Sequence, residues 1–376
     1  MLAASSDAVP VETVKSLIER GADVNANGTG GETALAFAKQ RGRTPVVDLL
    51  LQAGAKNEST RIDPVVKSNP ANSVRTAIER SIPLLQRTDV SFIRKSGCVS
   101  CHNNSLTAMT IATARKNGLR VHDQIARLQL KTIGSYIDSW RERALQDIGI
   151  AGGVDTVSYI LVGMAAEKYP PDAATDAMAR YLRRQQSPDG RWWVRAHRPP
   201  IESSEIEVTA IAMRAIQVYF PAAQRAQYQK AVQLAADWLR RAQPTTNEDR
   251  TFQLLGLGWA RGNNEIIGKS AHDLLAEQRS DGGWAQLPSL ASDAYATGQA
   301  LVALKQVGAL AVSAPAYQRG IHFLLNTQLG DGSWYVKSRA IPVQPYFDNG
   351  FPHGPDQWIS AAATNWATMA LALAAR

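Results

Sequence analysis

Three copies of one heptapeptide set the architecture of this 376-residue chain. Gln186-Ser187-Pro188-Asp189-Gly190-Arg191-Trp192 recurs as Gln278-Arg279-Ser280-Asp281-Gly282-Gly283-Trp284 and as Gln328-Leu329-Gly330-Asp331-Gly332-Ser333-Trp334, the pattern Gln-x-x-Asp-Gly-x-Trp each time. The Gln is expected to end a helix, Asp-Gly to make a tight turn at positive φ, and the Trp to stack over the neighbouring Gln and the helix end. The copies start 92 and then 50 residues apart, which leaves room for one degenerate copy near Gln243-Pro244-Thr245.

Two kinds of helix alternate around these junctions. Amphipathic helices with charged faces are predicted at 72–87, 123–146, 172–186, 224–243, 267–278 and 315–328, the fourth with Tyr228, Val232, Ala235 and Leu239 in one stripe. More uniformly apolar helices are predicted at 103–117, 154–168, 205–220, 249–261, 293–307 and 360–375. A helix apolar on most of its surface has to be enclosed by others. The second set is therefore expected as an inner barrel and the first as its sleeve, six and six, in an all-α fold.

The heptapeptide resembles the QW repeat of the triterpene cyclases, the squalene–hopene and oxidosqualene cyclase family. The resemblance implies an (α/α)6 toroid of terpenoid cyclase and prenyltransferase type over residues 72–376, with Gln186, Asp189, Trp192, Gln278, Asp281, Trp284, Gln328, Asp331 and Trp334 as its structural turns. In hopene-type cyclases the middle aspartate of Asp-x-Asp-Asp-Thr, at the start of an inner helix, protonates an alkene. The matching segment here, Asp293-Ala294-Tyr295-Ala296-Thr297, carries Tyr295 at the donor position. An acid strong enough for an alkene needs a carboxyl group held protonated, so cyclase activity is not implied. The nearest substitute is Glu207 in Glu205-Ile206-Glu207-Val208-Thr209, whose alternative role is a helix-start carboxylate complementing the dipole. The last inner helix reads Thr364-Asn365-Trp366-Ala367-Thr368 at that point, again without an acid. Protein prenyltransferase β-subunits share the toroid and bind zinc through Asp, Cys and His; both cysteines here precede the first inner helix, so no zinc site carries over.

Those cysteines lie in Cys98-Val99-Ser100-Cys101-His102, the signature of covalent haem attachment. Two thiols three residues apart can each add to a vinyl group of haem c, and the next residue, His102, can reach the iron as axial ligand. A structural zinc site wants four ligands, and the other histidines, at 122, 197, 272, 322 and 353, are scattered. A thioredoxin-type redox pair would sit beside a βαβ unit, whereas this segment reads as helix. A chance cluster of two buried thiols and a histidine is the remaining alternative. His353, Met109 and His197 are candidates for the sixth iron position, where Met or His gives an electron carrier and an open site permits small-molecule chemistry. The starts of the inner helices are expected at one rim, bringing the haem site near Glu205, Glu207, Asp293, Tyr295 and Trp366.

The first 58 residues carry a third pattern. Gly21-Ala22-Asp23-Val24-Asn25 and Gly54-Ala55 each follow an amphipathic helix, 33 residues apart, with Glu32-Thr33-Ala34-Leu35-Ala36-Phe37-Ala38 between them. This resembles the Thr-Pro-Leu-His-x-Ala start of an ankyrin repeat, and the resemblance implies a partial solenoid at 1–58, a linker at 59–71, and docking of a protein partner or a rigid spacer role. Solenoids need about three repeats to bury a continuous core, so further repeats are expected upstream of Met1. Met1-Leu2-Ala3-Ala4-Ser5-Ser6-Asp7 shows no export signal, although haem attachment implies a periplasmic or otherwise exported location.

A formal charge of +8 with dispersed basic residues argues against a nucleic-acid partner. No run of eighteen apolar residues offers a membrane span. The function expected is haem-based electron transfer or sensing on a cyclase-like ring, with a redox partner or an apolar small molecule. The alternatives are an enzyme acting on an isoprenoid through Glu207 or Asp293, and a haemless interaction scaffold.

Overall fold

The computed structural model describes residues 1–6, 9–28, 31–56, 64–195, 197–341 and 346–375, and among them no β-strand forms. Four short helices come first: α1 (Leu2–Ser5), α2 (Val11–Glu19), α3 (Ala34–Lys39) and α4 (Pro45–Gln52). Then long helices alternate between two layers. In chain order they are α5 (Val74–Ser96) and α6 (Leu106–Lys116); α7 (Asp123–Ser139), its short continuation α8 (Arg141–Leu145), and α9 (Gly153–Ala166); α10 (Ala173–Arg184) and α11 (Glu205–Val218); α12 (Arg225–Arg241) and α13 (Asn247–Trp259); α14 (Asn264–Ala276) and α15 (Ala294–Gln306); α16 (Pro315–Thr327) and α17 (Gln357–Ala374).

Burial separates the layers as the hydrophobic patterns require. Every residue from Ala294 to Leu304 of α15 is buried, whereas α12 buries Tyr228, Ala231, Ala235, Ala236 and Leu239 and leaves its basic face in water. The inner helices pack in the cyclic order α6, α9, α11, α13, α15, α17 and back to α6. The closing seam is polar: Thr110 Oγ1 donates to Asn365 Oδ1 at 2.8 Å, and Asn365 Nδ2 donates to Thr107 Oγ1 at 3.2 Å. At the neighbouring seam a Cβ on Gly298 would lie 2.5 Å from the Trp366 carbonyl carbon. Backbone cannot yield as a side chain does, so Gly298→Ala is expected to cost about 2–3 kcal/mol in urea denaturation. Gly268→Ala, on α14 with nothing within 4 Å of the added methyl, is expected to gain about 0.5–1 kcal/mol.

Two boundaries differ from the sequence expectation. The first outer helix does not stop near residue 87 but continues through Pro83 to Ser96, because Leu84, Leu85, Thr88, Asp89 and Phe92 carry its buried face onward. The second is divided at Trp140 into α7 and α8.

The three heptapeptides are staples between successive outer helices. Gln186 Nε2 donates to Gly190 O within its own turn and to Ala231 O on α12, both at 2.9 Å. Gln278 does the same to Gly282 and to Ala316 on α16, and Gln328 to Gly332 and to Ala77 on α5, which closes the sleeve on itself. Gly282 has φ 87°, and a Cβ there would lie 2.5 Å from the Arg319 carbonyl oxygen of α16. The tryptophans bind the end of the preceding outer helix. Each is driven inside, Trp192, Trp284 and Trp334 donating Nε1–H to the carbonyls of Leu182, Leu274 and Leu324, ten residues back on the preceding outer helix. Their backbone N–H groups reach Thr209, Thr297 and Thr364 on the following inner helix. Nor is the stretch at Gln243 a fourth copy: Gln243 is exposed, and Gln253 of α13 satisfies the end of α12 by donating to Leu239 O and Ala242 O.

Helices α1–α4 bury their own small core, including Ala4, Val14, Leu35, Ala38, Val47 and Leu50. Asn25 ties its two Gly-Ala turns together, donating to Gly54 O at 3.1 Å and accepting from Lys56 N–H at 2.8 Å. Ser289 Oγ donates to Arg41 O, so this segment rests against the ring. Of the expected linker at 59–71, residues 59–63 lie outside the described residues. Its far end is no linker: Asn69 and Ala71 donate backbone N–H to Gln328 O and Leu325 O, which makes them part of the ring wall. No described helix is long and apolar enough to cross a membrane.

Candidate functional site

Gly97, at φ 68°, ends α5, and a π-helical turn, Cys101–Ser105, leads into α6. The sequence fixes that turn with short polar side chains. Ser100 Oγ accepts from Asn103 N–H at 3.1 Å, and Asn104 Oδ1 accepts from Ser100 N–H at 2.9 Å. Asn104 Nδ2 donates to the Asp89 carboxylate at 2.6 Å, anchoring the turn to α5. Cys101 and His102 thus occupy the first turn of the innermost layer.

Both thiols are free. Cys98, half-buried, donates to Ser96 Oγ at 3.3 Å; Cys101, 3 % exposed, donates to Glu202 Oε1 at 3.6 Å. His102 Nδ1 lies 3.7 Å from Cys101 Sγ, and the ring stands edge-on to Phe92 at 5.5 Å and Trp358 at 5.9 Å. His102 Nε2 makes no hydrogen bond among the described residues. Burial, reinforced by the Arg198 charge, pushes His102 down to about 3, so the imidazole is neutral at physiological pH. Burial and the neighbouring Glu202 push the Cys101 thiol up, keeping it protonated. The motif thus presents a neutral imidazole against one thiol, Cys101, that is buried and turned toward Glu202, while Cys98 is held on Ser96.

The expected companions divide. His353 is engaged elsewhere: its Nε2 pairs with Ser333 Oγ at 2.7 Å, its ring packs on Tyr335 and Phe351, and it is not among the contacts of His102. Met109 packs partly buried against the core, and His197 is exposed on the loop after the first heptapeptide. Glu205 is an outward ion-pair partner of Arg191 at 2.7 Å. Asp293 caps α15, accepting from Ala296 N–H and Gln286 Nε2 at 2.9 Å each, and burial pushes it up to about 6. Only Glu207, Tyr295 and Trp366 of the expected rim set belong to the central cluster.

That cluster is built from the N-terminal halves of α9, α11, α13 and α15, with Trp366 from the middle of α17. Tyr159 donates to Glu207 Oε1 at 2.8 Å, and Tyr295 donates to Glu248 Oε1 at 3.0 Å, assisted by Gln299 at 3.2 Å. Both oxygens of Asp155, Oε2 of Glu207 and Oε2 of Glu248 are buried without any partner. Burial pushes Glu248 up to about 8. It also raises Asp155, where Glu207 adds to the effect, and Glu207, where Glu248 does. Arg198 is bound to Glu202, its Nε 2.6 Å from the carboxylate, and its charge works against the rise at Asp155. Asp155, Tyr159, Glu202, Glu248 and Gln299 were not singled out by the sequence reading. The available signal was an acid in the opening turn of three otherwise apolar helices, a pattern that helix dipoles also favour.

No protein-family profile matches the chain. No curated protein matches it. Among solved structures, a UGL variant in complex with the saccharide dGlcA-Glc-Rha-Glc is similar at 14 % identity and TM-score 0.50, covering 78 % of this chain and 95 % of that one. A protein from Actinoplanes is similar at 14 % identity and TM-score 0.52, covering 81 % of this chain and 100 % of that one. At that identity the likeness is one of fold, and this chain is an α/α toroid.

Proposed function

We propose that this protein is a c-type haem protein in which the toroid holds a redox or sensing centre at one rim, with α1–α4 as an ankyrin-like arm that docks a protein partner. The observation that supports it is the pairing of the chain's only thiols with a neutral His102 whose Nε2 has no partner. Cys98 and Cys101 would hold haem c and His102 would be its axial ligand. Haem bound there would supply one-electron chemistry, or a small-molecule site if its sixth position stays open. Ser100, Asn103 and Asn104 hold the turn, and Phe92 and Trp358 stand edge-on beside the imidazole. Attachment of this kind belongs to an exported protein.

The test is the full chain, fused to an export signal, in a host that matures c-type cytochromes. The pyridine haemochrome spectrum is expected to show haem that survives denaturation and extraction, and Cys98→Ser combined with Cys101→Ser is expected to remove it. A helical, soluble product without covalent haem overturns the proposal.

A further inference from the structure

We propose that Cys101 is the latch of the hairpin Arg198–Ser203, and that joining its sulfur to carbon loosens the Glu202 end of this hairpin from the rim where the inner helices begin. The inference concerns the haem-free chain and does not rest on the haem reading.

The hairpin lies between the first heptapeptide and α11. It is narrow: Arg198 N–H donates to Glu202 O at 3.1 Å, and Ser203 Oγ donates to Pro200 O at 2.7 Å. Glu202 has φ 55°, a left-handed conformation that a residue with a side chain adopts only when its surroundings hold it there. Those surroundings can be named. The Glu202 side chain turns inward and is 1 % exposed, and among the described residues its carboxylate has two side-chain partners. Arg198, inside the hairpin, takes Oε2; Cys101, in the π-helical turn before α6, donates to Oε1 at 3.6 Å. The thiol is therefore the side-chain hydrogen bond that ties this carboxylate to anything outside its own hairpin.

Glu202 also stands next to the interior acids. Its charge bears on Glu207 and on Asp155, and a Cβ on Gly152, just before α9, would lie 3.5 Å from Glu202 Oε1. The carboxylate is thus held between the start of α9, the hairpin and the Cys101 turn. Ile201 packs in the main apolar core and is untouched by thiol chemistry, so the movement expected is a loosening at Glu202 rather than loss of the whole loop.

Replacing S–H by S–C removes a donor and adds bulk on the sulfur. Glu202 Oε1 is then a buried carboxylate oxygen without its donor, facing a substituent where it had faced a proton. The strained backbone of Glu202 is where the hairpin yields most easily. The same contact works in reverse. Cys101 is 3 % exposed and meets a reagent only when the hairpin opens, so its reaction follows the open population. Cys98, half-buried on Ser96, needs no such opening.

Two measurements on the full, haem-free chain test this. Iodoacetamide labelling is followed at each cysteine by mass spectrometry; the reagent carbon bonds to Sγ, iodide leaves, and the thiol proton passes to solvent. Cys101 is expected to label about tenfold or more slowly than Cys98, and about tenfold faster in Glu202→Ala than in the parent protein. The second measurement uses Cys98→Ser alkylated at Cys101 and a protease that cuts after glutamate. Cleavage between Glu202 and Ser203 is expected to be about tenfold faster than in the unalkylated variant, with circular dichroism unchanged. Cys101→Ser alkylated at Cys98 is the control, expected to be cut no faster than before labelling. If Glu202→Ala fails to fold, the protease measurement, which leaves the hairpin sequence intact, decides alone. Equal labelling of the two thiols, labelling of Cys101 only as fast as the whole chain unfolds, or a Glu202–Ser203 bond that stays resistant after Cys101 is alkylated overturns the proposal. A failure to find covalent haem overturns the haem reading and leaves these results as they stand.

Discussion

Trp334→Ala is expected to lower the unfolding free energy by about 4–5 kcal/mol. The indole is 1 % exposed, donates to Leu324 O at 2.8 Å, and sits where α16 is stapled to α5. Truncation leaves an indole-sized void and takes from Leu324 O the shorter of its two side-chain donors, in a place where two helices already joined to others cannot collapse inward. Urea denaturation should show a lower midpoint with an unchanged slope. Trp193 is the internal control: it is 51 % exposed and its ring is covered by the Arg191 guanidinium at 3.7 Å. Trp193→Ala should cost about 1 kcal/mol or less. Equal losses at the two positions would show that the heptapeptide tryptophans are not structural staples.

Glu248→Gln is expected to act in the opposite direction, raising stability at alkaline pH by about 3 kcal/mol. The folded carboxyl keeps its proton up to about 8, while the unfolded chain releases it near the ordinary 4.5. Between those values the folded state binds more protons, so stability is fully present below 4.5 and drains away as pH rises through 8. A shift of that size corresponds to about 4–5 kcal/mol, from which an amide nitrogen without an acceptor subtracts about 1 kcal/mol. Unfolding curves at about pH 5 and about pH 9 should differ less for the variant than for the parent protein. A parent protein whose stability does not fall between those values would mean that Glu248 is ionised or solvated in the folded state.

The ring was legible because its signal is local and repeated. Uniform apolarity over Ala294–Leu304 and a stripe on α12 are properties of single segments, and the heptapeptides mark where one layer passes to the next. The Cys98–His102 pentapeptide is an equally local pattern. What escaped was whatever depends on pairing between distant segments. Asp89 of α5 meets Asn104 of the π-helical turn, and Glu202 reaches Cys101 from 101 residues away. The acids Asp155 and Glu248 look alike in sequence to Glu205, yet Glu205 faces Arg191 at the outer edge while the other two face inward. One residue of helical phase, about 100°, separates an ordinary helix-start carboxylate from a buried one. His353 shows the reverse error, since proximity along the chain to the last inner helix did not bring it to His102.

Gln328 reaching Ala77 has a bearing on how the molecule is made. A ribosome releases α5 well before the Gln328 side chain it must meet, 251 residues after Ala77, and α17, which completes the seam with α6, follows later still. Until then the nascent chain is an open arc with apolar flanks at both ends, exposed to misassembly with another arc. Truncation or stalling shortly before α17 should therefore be far more damaging, as aggregation in the cell, than a cut of equal length at the α1 end.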